Sequence, residues 1–238
     1  MPIPVWNEVT AVFGGRFDPP HLGHRQAARG LFQNPGIQRV IVVPSASPPQ
    51  KPAIASAHDR ALMAERNFHS NGTQGESHPI EVNRIELERQ EKAPGTPSFT
   101  FYTLQALRTQ CPKLAFALGA DQLHGLPTWH RFPEILTLCH WIVLERKPQG
   151  HELIQKTLQE WKASGLIAAT PQPDTWEVRG TPHVIRSVPT EATGLSSTTI
   201  RQSILKTGAP PANSLHPQVE AYLKLHPNYG ISHAHDSR

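Results

Sequence analysis

The chain has almost no cysteine: Cys111 and Cys139 are the two it carries in 238 residues. Two thiols so far apart make no disulfide framework, and no CxxC pair suggests a zinc or redox centre. Such scarcity suits a reducing, intracellular setting, and the cytoplasm is the expected compartment. Long apolar runs are also missing, and none approaches the ~20 residues of a membrane-spanning helix. Met1 leads into PIPVWNEVT, without a basic region or an apolar stretch, so no secretory leader is expected. Charge is nearly balanced, 23 Lys and Arg against 19 Asp and Glu, leaving +4. That excess helps recruit anions but is too small and scattered to argue for nucleic acid. What the chain does have is proline and histidine, 24 and 14 residues. They lower the apolar and charged fractions without bringing either to a disordered composition.

The length suits one α/β domain over residues 1–238, with a core from about 9 to 226 and a C-terminal helical segment over about 196–226. Val9 to Phe13 is an apolar strand ending at a double glycine. His21 to Phe32 has helical spacing, and Val40 to Val43 (VIVV) suits a buried parallel strand. Together they make a βαβ unit. Beyond a proline-rich loop, Pro44 to Pro52, the pattern predicts a helix over Ser56 to Phe68. Asn71 to Gly75 punctuates, and a strand is expected over His78 to Val82. Arg84 to Pro97 is polar and charged, as in a loop. Ser98 or Thr100 is placed to cap a helix running through TFYTLQALRT. Strands follow at Leu114 to Leu118, Trp141 to Leu144 and, more weakly, Val184 to Val188. Helices are expected over His151 to Lys162, Ser197 to Lys206 and Pro217 to Leu225. A proline-interrupted stretch covers Pro171 to Pro182, and the tail ISHAHDSR is polar. Strands alternating with helices imply a Rossmann-like, open, mostly parallel sheet covered on both faces. Its ligand belongs beyond the carboxyl ends of the strands, where the loops 14–24, 44–51, 119–129 and 193–201 gather.

The first of these loops reads GGRFDPPHLGH, from Gly14 to His24. It is neither GxGxxG nor GxxxxGK[ST], so the dinucleotide fingerprint and the P-loop are excluded. The glycines suit positive φ or the close approach of a ligand. The prolines stiffen the start of a helix whose first amides are unpaired by the helix itself and suit phosphate. His21 and His24 lie three apart and share a helix face. Three readings stand for the pair: metal ligands, though no HExxH or cysteine partner accompanies them; ordinary polar residues at a helix start; or donors to a polyphosphate alongside Arg16.

GGRFDPPHLGH resembles the GGTFDPxHxGH segment of bacterial nicotinate-nucleotide adenylyltransferases, in the HxGH nucleotidyltransferase superfamily. The resemblance continues through VVPSASPPQKP and through PSFTFYTL from Pro97 to Leu104. It goes on in GADQLHGLPTWHRFPEIL from Gly119 to Leu136 and LSSTTIRQSI from Leu195 to Ile204. It covers most of the chain, with order and spacing preserved. It implies adenylyl transfer from ATP to nicotinate mononucleotide, giving deamido-NAD and pyrophosphate, with Mg²⁺ carried mainly by phosphates and water. By the same resemblance the catalytic residues are His21, His24 and Arg201. Gly14, Gly15, Phe17 and Gly23 allow backbone approach to phosphate. Lys51, Gly119, Asp121, Ser196, Ser197 and Thr198 line the ATP site, with Asp121 near the ribose. Thr100 and Trp129 face the mononucleotide, the tryptophan against the pyridine ring, and Arg146 approaches the adenine or the sheet edge. Beside these roles stand plainer ones. Ser196 and its neighbours suit a helix cap, Asp121 the cap of a short helix, Trp129 a packed core, and Lys51 the surface.

Two positions depart from the pattern. Arg16 stands where the bacterial relatives usually carry threonine or serine, and GRF instead resembles the shorter archaeal-type nicotinamide mononucleotide adenylyltransferases. Gln50 stands where histidine is common. Arg16 could grip phosphate bidentately or merely face solvent. The amide mononucleotide, or both forms, is the alternative substrate. A non-catalytic nucleotide- or RNA-binding protein on the same fold is the alternative from another class; it would show a basic aromatic stripe, which the sequence lacks. Pantetheine-phosphate adenylyltransferases share the HxGH chemistry but lack the PSFT and LPTW segments. Neither nucleic acid nor membrane is an expected partner, and a homodimer is left open.

Overall fold

A computed structural model describes residues 6–34, 36–50, 52–69, 79–146, 150–190, 194–226 and 228–230. Lys51, the punctuating Asn71 to Gly75 and the tail from Ile231 lie outside these residues. The chain runs β1 (Val9–Gly15), α1 (Leu22–Gly30), β2 (Ile37–Pro44), α2 (Ala57–Phe68), β3 (Ile80–Val82), α3 (Ile85–Lys92), α4 (Thr100–Gln110), β4 (Leu114–Gly119) and α5 (Ala120–Gly125). It continues through β5 (His140–Arg146), α6 (Gly150–Ala163), β6 (Ile167–Ala169), β7 (Thr175–Val178), β8 (Val184–Thr190), α7 (Ser197–Thr207) and α8 (Pro217–Leu225).

One sheet has the order β3-β2-β1-β4-β5-β8-β7-β6. The six strands from β3 to β8 pair in parallel, and β7 and β6 complete the edge antiparallel. Alternation along the strands feeds two cores, as the period of two requires. Val12, Phe116, Leu118, Trp141 and Val143 meet α4, α5 and α6 on one face. Ala11, Phe13, Ala115, Ala117 and Ile142 meet Ala27 and Ala28 of α1 and Ala64 and Phe68 of α2 on the other. A third cluster docks α7 and α8 on α2 through Met63, Ile200, Ile204, Val219 and Leu223.

The chain order reverses between β1 and β4. From β1 the sheet grows outward through β2 and β3, and from β4 through β5 and β8. Such a switch point opens a crevice at the strands' carboxyl ends. Gly14 and Gly15 close β1 there, and Gly119 closes β4.

Three stretches differ from expectation, among them β6, a strand where none was expected. Ile85–Lys92, inside the expected loop, is helix α3. Arg84 is held bidentately by Glu65 at 2.6 and 2.8 Å, Glu86 accepts from Thr103 Oγ1 at 2.7 Å, and Leu87 packs with Ala46 and Ala61. These partners are remote in sequence, so local periodicity carried no trace of them. The proline-interrupted stretch contains β7, which pairs with β6 and β8. The helix after PSFT is not capped by Ser98 or Thr100. Phe99 occupies the cap without a side-chain bond and Thr100 begins α4. Ser98 instead accepts from the Ser47 amide through Oγ at 2.9 Å and donates its own amide to Ser47 O at 2.8 Å. Among the described residues, no helix is long and apolar enough to cross a membrane.

Candidate active site

His21 adopts extended backbone angles and caps α1. Its Nδ1 accepts from the His24 amide at 3.3 Å, while His24 Nδ1 accepts from the His21 amide at 3.2 Å. The rings stack with centroids 3.6 Å apart. An accepting Nδ1 places each neutral ring's proton on Nε2, which makes that atom a donor. Capping and any contact with a ligand therefore fall to different nitrogens of the same rings. Phe17, 2 % exposed, meets the His24 ring edge-on at 5.1 Å and also contacts Phe13 and Phe68. It thereby fixes the catalytic candidate from below.

Neither Gly14 nor Gly15 has positive φ; that conformation falls on Phe17, at φ 51°. Close packing crowds both glycines instead. A Cβ would stand 3.1 Å from the Phe116 ring at Gly14 and 2.9 Å from the Phe17 ring at Gly15. Gly23 is buried in the first turn of α1.

The second expected phosphate element folds onto the first. Ser196 caps α7 by accepting from the Thr199 amide at 3.1 Å. Ser197 Oγ donates to Pro19 O at 2.9 Å. Arg201 donates to Asp18 O at 2.5 Å and lies near Thr198 Oγ1 at 3.4 Å. The N-termini of α1 and α7, 175 residues apart in sequence, are thus tied to one loop. Helix N-termini carry partial positive charge and unpaired amides.

Arg16 is half-buried rather than fully solvent-facing. Its guanidinium donates to Pro52 O at 3.1 Å, bridging the loops after β1 and β2. On the β4 side, Asp121 is exposed in the first turn of α5, and the cap position belongs to Gly119, whose amide donates to Gln122 Oε1 at 3.1 Å. Trp129 is half-buried with its ring edge-on to Phe116 at 6.1 Å. Since Phe116 also lies against Gly14, the tryptophan belongs to the wall facing the end of β1. Thr100 is half-buried at the start of α4, and its neighbour Phe99 stacks on His130 at 4.2 Å. Arg146 ends β5; its side chain lies outside the described residues.

Sequence reasoning missed three residues. Arg60, 1 % exposed, donates to the carbonyls of Arg16, Ser45, Ala46 and Ala55; burial lowers its pKa against the pull of Asp18. Asp18, 1 % exposed, accepts from the amides of Ile54 and Ala55 and from the Tyr229 hydroxyl. Tyr229 is the third. An aspartate in an HxGH loop hints at a role, but no local signal joins it to residue 229. An open groove of about 500 Å³ between α2 and α8, lined by residues such as Arg66, Tyr222 and His226, holds none of the expected site residues.

Comparison with known proteins agrees with this geometry. The cytidylyltransferase-like family profile matches residues 12–203. A Yersinia pestis protein named as a probable nicotinate-nucleotide adenylyltransferase is 32% identical over 221 residues, covering 90% of this chain and 92% of that one. A Pectobacterium atrosepticum protein of the same name is 37% identical over 166 residues, covering 68% and 72%. Among solved structures, Plasmodium falciparum nicotinic acid mononucleotide adenylyltransferase complexed with NaAD superposes with a TM-score of 0.67 at 16% identity, over 95% of this chain and 99% of that one. At that identity the likeness concerns the fold.

Proposed function

Given that the chain belongs to the cytidylyltransferase-like family, among the nicotinate-nucleotide adenylyltransferases of NAD biosynthesis, we propose that it joins ATP to nicotinate mononucleotide, releasing deamido-NAD and pyrophosphate. A phosphate oxygen of the mononucleotide attacks the α-phosphorus of ATP. The new O–P bond forms as the bond to the β-phosphate bridging oxygen breaks, and that electron pair departs with pyrophosphate. A phosphate monoester is already an anion at neutral pH, so the reaction needs no strong base. Alignment and charge stabilisation carry it.

The observation that carries this reading is the paired α1 and α7 termini, with His21 and His24 holding Nε2 as donors. His24 stabilises the α-phosphoryl charge, His21 orients the phosphates, and Arg201 meets the departing pyrophosphate. Gly14, Gly15, Arg16, Phe17, Gly23, Lys51, Gly119, Asp121, Ser196, Ser197 and Thr198 complete the ATP side, and Thr100 and Trp129 the mononucleotide side. Magnesium would arrive on the phosphates and help neutralise their charge. Asp18 gives its oxygens to N–H and O–H donors, and among the described residues no three His, Cys, Asp or Glu side chains converge on a metal position. In this reading the chain's own residues align the substrates and neutralise charge, while phosphates and water carry the ion.

The test is pyrophosphate release from ATP and Mg²⁺ with the acid or the amide mononucleotide at matched concentrations. Faster turnover of the acid is expected. Preference for the amide reassigns the substrate, and no release with either ends the adenylyl-transfer reading.

A further inference from the structure

The far end of the described chain reaches into the cradle formed by the loop that ties the α1 and α7 N-termini together. Tyr229 sits at φ 66°, in the left-handed region that a bulky residue rarely adopts. Its ring is 5 % exposed, packed with Ile200, Ile204 and Leu215. The hydroxyl donates to Asp18 Oδ1 at 2.7 Å across 211 residues of sequence. Burial, followed by the Asp18 charge, pushes this phenol well above its ordinary value, so it remains a donor. An unfavoured backbone conformation that delivers one buried hydroxyl to one buried carboxylate points to a requirement at that carboxylate.

The Asp18 side chain shows what is required. Oδ1 accepts from Tyr229 and, at 3.1 Å, from the Ala55 amide; Oδ2 accepts from the Ile54 amide at 2.9 Å. Arg201 Nη1 lies 3.8 Å from Oδ2, beyond hydrogen-bond distance, and donates instead to the Asp18 main-chain oxygen at 2.5 Å. Three neutral donors thus occupy the carboxylate while the arginine is held beside it without a fork-to-fork pair. A bidentate arginine–carboxylate pair would commit two N–H donors of the guanidinium.

We propose that Tyr229 is a positioning residue for Arg201: its hydroxyl holds the Asp18 carboxylate so that the guanidinium keeps donors for phosphate. The proposal rests on Arg201 being a phosphate residue of the site described above. Without the hydroxyl, Oδ1 loses a donor, and Arg201, 3.8 Å from the other oxygen of the same carboxylate, is placed to move onto it. Arg60 also faces the Asp18 charge but is held by four main-chain carbonyls. The Arg201 guanidinium then closes onto the carboxylate and is drawn away from the anion.

The test is a double-mutant cycle read by calorimetric binding of inorganic pyrophosphate to the full chain. Tyr229→Phe retains the packed ring and should weaken binding about tenfold, a coupling of ordinary size for two linked residues. In an Arg201→Ala background the same change should have no further effect. On turnover, Tyr229→Phe should lower kcat about tenfold and leave the KM of the mononucleotide unchanged. A tyrosine that only stabilises the fold would lower Tm and cost the same factor in both backgrounds. Equal losses in both backgrounds, no loss in the parent, or no pyrophosphate binding by the parent overturns the proposal. Should the parent bind pyrophosphate but turn over neither mononucleotide, the adenylyl-transfer reading fails while the cycle still decides the role of Tyr229.

Discussion

At the scale of single residues, two side chains of the first loop carry opposite expectations. His24 spends Nδ1 on the helix cap and keeps Nε2 as the donor. His24→Ala removes that donor from the developing charge, so kcat should fall about 10²–10³-fold, the usual loss for one stabilising donor. ATP affinity should change far less, and equilibrium binding beside turnover measures the split. Equal losses of both would make His24 a binding residue. Arg16 is a different case. Its bond to Pro52 O is exposed, and such bonds contribute about 1 kcal/mol or less. Arg16→Thr should therefore leave thermal stability nearly unchanged while raising the KM of ATP several-fold. An unchanged KM would mean that the guanidinium only staples the two loops.

At the scale of elements, Arg60 on α2 organises the ends of β1 and β2. Its carbonyl partners belong to Arg16, Ser45, Ala46 and Ala55, so one guanidinium sets the spacing of the loops that flank the cradle. Arg60→Ala leaves those carbonyls without their donor inside the protein, at about 1–3 kcal/mol for a buried group left unpaired, so the loss should be at least about 2 kcal/mol. Urea unfolding of variant and parent measures it; a loss below about 1 kcal/mol would mean that water replaces the guanidinium. This residue also marks where sequence reading stops. Most of the strand and helix pattern, the α7 cap and the HxGH pair were legible because they are written within ten residues of one another. Arg60 lay in an ordinary amphipathic helix, and nothing local distinguishes a buried arginine from an exposed one. α3 was unreadable for the same reason, since Glu65 and Thr103 hold it from outside. The glycines of β1 suited positive φ or the close approach of a ligand; neither has positive φ, and the rings of Phe116 and Phe17 crowd the space a Cβ would take. Identity was visible locally, whereas the cause needed the third dimension.

At the scale of the whole molecule, the sheet separates two chemistries at its two ends. The carboxyl ends of the strands collect the cradle. The opposite end holds a histidine pair at the start of β5 and before β8. His140 Nδ1 accepts from the Val184 amide at 3.2 Å, its ring lies 5.1 Å from both His183 and Trp6, and Arg186 covers the Trp6 ring. Burial first, then the charges of His183 and Arg186, lower the His140 pKa to about 4; burial lowers that of His183 as well. The unfolded chain, with an ordinary histidine pKa near 6.5, therefore binds more protons than the folded one between about pH 6.5 and 4. Stability must fall as pH drops through that window and stay level above it. For His140 alone the loss amounts to roughly 3 kcal/mol by pH 4. His140→Asn retains an acceptor for the Val184 amide and cannot titrate. Unfolding free energies measured from pH 7 to 4.5 should thus decline more shallowly in the variant than in the parent. Parallel curves would assign the acid sensitivity to other groups. Because the pair lies at the end of the sheet away from His24, the variant's turnover at pH 7.5 should equal the parent's, separating loss of fold from loss of chemistry.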